Sequence, residues 1–418
     1  MFKHLKNISK SLGPGILFAA AAIGASHIIQ STRAGASYGF ALLIFVILSN
    51  FFKYPFFEYG HRYTAATGES IISGYAKLGK WAVYIFVLLN IFTSVISSAG
   101  VTIVTAAISA MLLNIFFNIT LSITSLSIII LLSIFILLWF GKYSVMDKVI
   151  KVLIAVLAIA TTVAFIIAFS NGMHIKEDFI QPELFNIATF GFLIALMGWM
   201  PAPIEAATWS SVWAIENQKA KGEKLELKDA LIDFKVGYIG TAILACFFLG
   251  LGAFVMYGTG EQFSDSAIKF TGQIIELYTS NLGEWSKPII SIVALITMAS
   301  TTITVIDAYP RTINEAIRVL KNEIDTSNKL YWLLFIIISI ISITIISEFS
   351  NRIKDMVDLA TIVSFIAAPI FAYLNFKLVI SKYMPEEFKP GMYLRVLSVS
   401  GLILLSVFAL SYLYILVS

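Results

Sequence analysis

Gly198-Trp199-Met200-Pro201-Ala202-Pro203 interrupts one apolar run of this chain. Far upstream, Ile23-Gly24-Ala25-Ser26-His27 lies at mid-depth of another that opens with Gly13-Pro14-Gly15. In lipid, non-helical backbone persists only where protein or a water-filled cavity satisfies its polar groups. The two interruptions therefore mark a cavity. Their matching places in two halves of the chain point to a solute site of the kind secondary transporters build from discontinuous helices.

The rest of the sequence agrees with a membrane setting. Of 418 residues, 58% are hydrophobic and 13% charged, with a mean hydropathy of +0.87, well above the apolar share of soluble domains. A crossing needs about 20 apolar residues. The chain offers eleven such segments, near 14–34, 38–60, 81–112, 119–140, 146–170, 187–214, 234–258, 288–309, 330–348, 357–381 and 392–416, and so predicts an all-α polytopic protein of the bilayer. The first segment is longer than the apolar core of a signal peptide and is expected to be retained.

Lys and Arg accumulate on the cytoplasmic side of membrane proteins. With the N-terminus inside, 23 of the 29 basic residues fall on inner segments, from Lys3, Lys6 and Lys10 through Lys53 and Arg62 to Lys389 and Arg395. An even number of spans would scramble this bias. It predicts a plasma-membrane protein, of a prokaryotic inner membrane, with a cytoplasmic N-terminus and Ser418 outside. The net charge of +4 follows from the same bias, and no compact basic stretch suits nucleic acid. Cys246 is the single cysteine, which excludes an intrachain disulfide or a Cys-based metal site. The charged Lys219–Lys235 segment reads as a solvated connector, and the polar Tyr257–Ser286 segment as a surface helix or a cover.

Five spans per unit is an odd number, so a second unit enters the bilayer from the opposite side. Residues 1–170 (spans 1–5) and 171–390 (spans 6–10) are thus expected to form inverted repeats, each beginning with a broken helix, with span 11 (391–418) added at the periphery.

Gly13-Pro14-Gly15, the run Gly35-Ala36-Ser37-Tyr38-Gly39-Phe40-Ala41-Leu42-Leu43, Arg62 and Thr67-Gly68 resemble, in order and spacing, the opening of Nramp (natural-resistance-associated macrophage protein) transporters. Pro203 with Ser210-Ser211 is similar to that family's sixth-span motif, and Ser300-Thr301-Thr302-Ile303-Thr304 to its eighth-span Ser/Thr run. The resemblance implies a LeuT-type fold with helices 1 and 6 broken at mid-membrane. It implies secondary transport, by symport, with divalent metal as the family's cargo and no resident cofactor.

The family's metal-binding signature is replaced. Where it has Asp-Pro-Gly-Asn, this chain has Gly24-Ala25-Ser26-His27; its metal-binding methionine falls on Ala202, and Glu205 stands for an Asn. The acidic pair of its third span falls on Ser94 and Ser97. A carboxylate makes holding a dication tolerable at low dielectric, and thioether sulfur selects transition metals. Manganese or iron transport by the family's geometry is therefore not expected.

Candidate solute-binding residues are Gly24, Ser26, His27, Gln30, Ala202 and Glu205; candidates for gating or coupling are Arg33, Ser94, Ser97 and Asp307. Each has a structural reading beside the functional one. His27 either fixes packing by an interhelical hydrogen bond or binds solute, and Glu205 should have a partner, with His27 as the expected one. Arg33 is either an anchor or an entrance charge, and Asp307 couples an ion or pairs with Arg311. Glu58 and Arg62, at i,i+4, read as a structural pair. Three cargo classes compete: a hard divalent cation such as Mg²⁺ near Glu205, a small anion such as bicarbonate drawn by His27 and Arg33, and a small organic solute. A non-transporting membrane sensor is a further alternative. An enzyme is not expected, because no nucleophile–base set or cofactor loop is present.

Overall fold

The computed structural model describes residues 14–140, 143–221 and 226–418. The motif residue Gly13, the basic residues Lys3, Lys6, Lys10 and Lys142, and positions 222–225 of the charged connector lie outside the described residues.

Fifteen α-helices and no strand occur among the described residues. They are α1 (Pro14–Ala22), α2 (Thr32–Tyr38), α3 (Leu43–Thr67), α4 (Ile71–Leu78), α5 (Lys80–Phe117), α6 (Ile123–Trp139), α7 (Tyr143–Asn171), α8 (Ile187–Gly198), α9 (Ala206–Lys221), α10 (Leu227–Val255), α11 (Ala267–Leu282), α12 (Lys287–Lys321), α13 (Asn328–Phe349), α14 (Ile353–Val379) and α15 (Met392–Val417). A π-helical turn, Ser26–Ser31, joins α1 to α2. Nine single helices and the pairs α1/α2 and α8/α9 follow the order of the eleven expected spans. The polar segment before span 8 folds as α11, which buries Phe270, Ile274 and Tyr278. The short α4 between spans 2 and 3 was not expected; Ser70 caps it by accepting the Ser73 amide at 3.0 Å, a standard N-terminal device.

Among the described residues six helices, α5, α10 and α12 to α15, are individually long and apolar enough to cross a membrane. Burial separates centre from periphery: in the most apolar stretch of α12 72% of residues are buried, against 28% in α13 and α15. The outer faces of α13 and α15 expose Leu333, Ile340, Val407 and Leu410, side chains that lipid rather than water can solvate.

Helices in lipid gain little from hydrophobic association and pack through small residues. α10 lies against α2 at such a contact. A Cβ added at Gly35 would stand 1.8 Å from the Leu249 carbonyl oxygen, and one at Gly252 would stand 2.1 Å from that of Thr32. Backbone meets backbone here, which ties the second half of span 1 to span 7.

Candidate functional site

The two expected interruptions differ in kind. Span 6 is open: α8 stops at Gly198, α9 starts at Ala206, and the residues between are non-helical. Its carbonyls are claimed by other helices. Lys53 Nζ donates to Met197 O at 2.5 Å and to Gly198 O at 2.9 Å, and Ser49 Oγ donates to Met200 O at 2.9 Å. Span 1 is broken as expected, with α1 ending at Ala22. It bends at Ile23-Gly24 and resumes as the π-turn, with the His27 and Ile28 amides donating to Gly24 O at 3.1 and 2.9 Å. The Ser26 hydroxyl lies 2.8 Å from Ala22 O and 3.3 Å from Pro201 O, so it joins the two interruptions directly.

Between them lies a small chamber lined by Ala21, Ala22, Ala25 and Ser26 of span 1 and by Trp199, Pro201, Ala202, Pro203 and Trp209 of span 6. Ser97 and Val101 of α5 and Thr301 and Val305 of α12 close its sides. Its volume is about 20 Å³, room for about one water molecule. The polar side chains of its lining are Ser26, Ser97, Thr301 and the two tryptophans, and Trp209 Nε1–H has no hydrogen-bond partner. Gly24 backs onto Thr301: a Cβ there would stand 2.5 Å from Thr301 Oγ1 and 2.8 Å from its Cγ2. The space that a side chain at position 24 would need is therefore filled by a threonine. Among the described residues no group of three His, Cys, Asp or Glu side chains could hold a metal ion.

His27 and Glu205 do not pair. His27 Nε2 is 2.9 Å from Thr241 O on α10, and Nδ1 is 2.8 Å from Ser26 Oγ. A carbonyl can only accept, so Nε2 carries a proton and donates it to Thr241 O. The ring is fully buried and does not line the chamber, an arrangement that serves packing. Glu205 is equally buried and precedes the first residue of α9. Tyr309 donates to its Oε1 at 3.2 Å, while Oε2 has no partner. Both carboxylate and half-helix N-terminus are thereby stabilised, since the helix dipole is positive at that end.

At the other end of span 1, Arg33 and Asp358 of α14 form a two-armed ion pair at 2.7 and 3.0 Å. Gln30 donates to Asp358 at 2.8 Å and accepts from Arg33 at 2.9 Å. Arg33 is thus ion-paired across to α14, a geometry closer to its reading as an anchor than to its reading as an entrance charge. Nearby, Lys354 bonds Asp265 at 2.7 Å and holds that carboxyl below its usual range. At the opposite end of the bundle Asp307 accepts from Arg311, Trp213 and Tyr331, so its pairing with Arg311 holds and its oxygens are taken. Glu58 and Arg62 pair as expected. Of the third-span serines, Ser97 lines the chamber, whereas Ser94 bonds back to Ile91 O.

Lys53 corrects the orientation count, which assigned it to an inner segment: it is fully buried beside the span 6 interruption. Lys53 and Asp358 were missed as site residues. A signal existed, because both fall within segments read as membrane spans, where an ionisable side chain is costly and usually functional.

Asp358→Asn is expected to loosen the Arg33 end. In a Cys246→Ser background with Ala202→Cys as reporter, a hydrophilic thiol reagent should label the chamber about fivefold faster, the factor that loss of about 1 kcal/mol of ion pairing gives. Unchanged labelling from both faces would mean that this pair closes nothing.

The family model described as "Natural resistance-associated macrophage protein-like" matches residues 15–416. An uncharacterized protein of Pasteurella multocida is 41% identical over 373 residues, which cover 88% of this chain and 85% of that protein. Among solved structures, an Eremococcus coleocola manganese transporter aligns with a TM-score of 0.70 at 14% identity, covering 97% of this chain and 86% of that one. MhsT, solved with L-phenylalanine, aligns at 0.62 and 12% identity, covering 96% and 97%; Mhp1, a nucleobase-cation-symport-1 family transporter, aligns at 0.59 and 13%, covering 96% and 92%. The architecture is accordingly the LeuT-type all-helical fold.

Proposed function

Because this chain belongs to the Nramp family and is a membrane secondary transporter, we propose that it moves a small neutral solute able to hydrogen-bond, by alternating access through the chamber between spans 1 and 6. It does so without the manganese or iron site of its family. The chamber lining carries this reading: alanines, prolines, tryptophans and hydroxyls face it, and no carboxylate, imidazole or thioether does. A dication there would lack both charge compensation and soft ligands. An anion would lack a cation on the chamber wall, since Arg33 already serves Asp358, His27 faces Thr241, and Lys53 is bound to the Met197 and Gly198 carbonyls outside the lining. The same fold was solved with L-phenylalanine in MhsT and with bromovinylhydantoin in Mhp1, so organic solutes are compatible with it.

Two closed layers support alternating access. Arg33, Gln30 and Asp358 bridge spans 1 and 10 at one end; Asp307, Arg311, Trp213 and Tyr331 bridge spans 6, 8 and 9 at the other. A chamber that admits about one water takes a larger solute only when one layer opens. The positive-inside bias supports placing the Arg33 layer outside and Ser418 outside. The inverted repeats 1–170 and 171–390 supply the opposed half-helices, and 391–418 adds the peripheral span.

A second reading, a hard and partly hydrated divalent cation, is favoured by one observation, the unpartnered Glu205 Oε2. Proteoliposome uptake of labelled manganese, magnesium, bicarbonate and neutral amino acids separates the cases. No saturable manganese uptake is expected. A neutral-solute flux should appear that Ala202→Trp, which fills the chamber, abolishes. Saturable manganese transport would overturn the reading.

A further inference from the structure

The span 6 interruption already holds a basic side chain. Lys53 reaches it from the middle of α3, fully buried, and donates to the carbonyls of Met197 and Gly198, the last two residues of α8. The ring of Phe365 on α14 lies 6.0 Å from the ammonium. A helix C-terminus presents unsatisfied carbonyls and a partial negative charge. In transporters with broken helices, such carbonyl ends are where coupling cations are held. Lys53 takes part in none of the ion pairs found among the described residues. A buried ammonium without a contacting carboxylate is tolerable only if oxygen dipoles replace its water, and here two carbonyls and an aromatic face do so. Glu205 precedes the first residue of α9 across the same gap, so a basic and an acidic side chain each stand at the half-helix end whose dipole they complement.

We propose that the Lys53 ammonium is a tethered monovalent cation that permanently fills a carbonyl-lined cation position at the α8 end of the span 6 interruption. No free Na⁺ or K⁺ binds there, and the carrier requires none at this position. The inference stands independently of which solute is moved. A lysine that only filled space would be replaceable by methionine without loss, and its removal would create no cation site.

The test is thermal unfolding of the purified full-length protein in matched chloride salts of sodium, potassium, methylammonium and choline. The parent protein should unfold at the same temperature in all four. Lys53→Ala should lower the midpoint by about 5 °C or more in choline, and methylammonium, which fits the vacated space, should return at least half of that loss. Lys53→Met, which keeps the bulk of the stem, should show the loss without the rescue. Three results would each overturn the proposal: a parent protein selectively stabilised by sodium or potassium, a Lys53→Met variant as stable as the parent, or equal recovery of Lys53→Ala in methylammonium and choline. If neither variant can be purified, the salt series on the parent protein still decides.

Discussion

Gly35→Ala, one added methyl group, is expected to leave little folded protein. The new Cβ would lie 1.8 Å from Leu249 O and 2.8 Å from Ala253 N; the reciprocal change, Gly252→Ala, would lie 2.1 Å from Thr32 O and 2.8 Å from Ala36 N. These are backbone atoms, so no rotamer change relieves the overlap. α2 and α10 must separate by roughly an ångström, and overpacking that forces backbone movement costs about 3 kcal/mol or more. The damage also reaches the chamber, because α10 supplies the Thr241 carbonyl that holds His27. Gly240→Ala on the same helix is the control, since a Cβ there meets nothing within 4 Å. Size-exclusion profiles and thermal midpoints of the three variants decide. If Gly35→Ala unfolds at the temperature of Gly240→Ala, the two helices do not touch as described.

What the sequence made readable follows from which signals bilayers enforce. Every crossing must be apolar along its length, so eleven segments are marked in the sequence, and nine single helices with the pairs α1/α2 and α8/α9 follow them in order. The span 6 interruption was equally plain, because Pro201 and Pro203 cannot donate to a helix. Span 1 breaks after Ala22 as expected. Glycine permits a bend without requiring one, and the chain there recovers helical bonds through a π-turn.

Side-chain partners were much less readable, because they depend on which helix face meets which. His27 and Glu205 lie on segments that approach each other, yet each turns to a third helix, α10 for His27 and α12 for Glu205. Depth was misjudged for Lys53: a basic residue counts as cytoplasmic only near a span's end, and this one stands in the middle of α3. Asp358 is hard to read from the sequence because the apolar length of span 10 outweighs the one carboxylate near its start.

Gly24→Asp restores the carboxylate that the family resemblance places in span 1, and it is expected to damage the protein without creating a manganese site. The side chain would collide with Thr301, whose Oγ1 and Cγ2 occupy that space and whose hydroxyl bonds Ala20 O at 3.2 Å. The new charge would enter a chamber with no cation on its walls, at a cost of about 3 kcal/mol or more for an unpaired buried carboxylate. Calorimetry should show no manganese binding by the parent or by Gly24→Asp, and the thermal midpoint of Gly24→Asp should fall by about 5 °C. Adding Thr301→Ala removes the collision, and adding Ala202→Met supplies sulfur opposite the carboxylate, so the triple variant is the one expected to bind manganese measurably. The order of these effects is informative. If Gly24→Asp alone bound manganese well, the chamber would be a metal site short of a single ligand, and the neutral-solute reading would fall. If only the triple variant binds, the loss of metal chemistry was a repacking of spans 1, 6 and 8 together, which is what the contact between Gly24 and Thr301 implies.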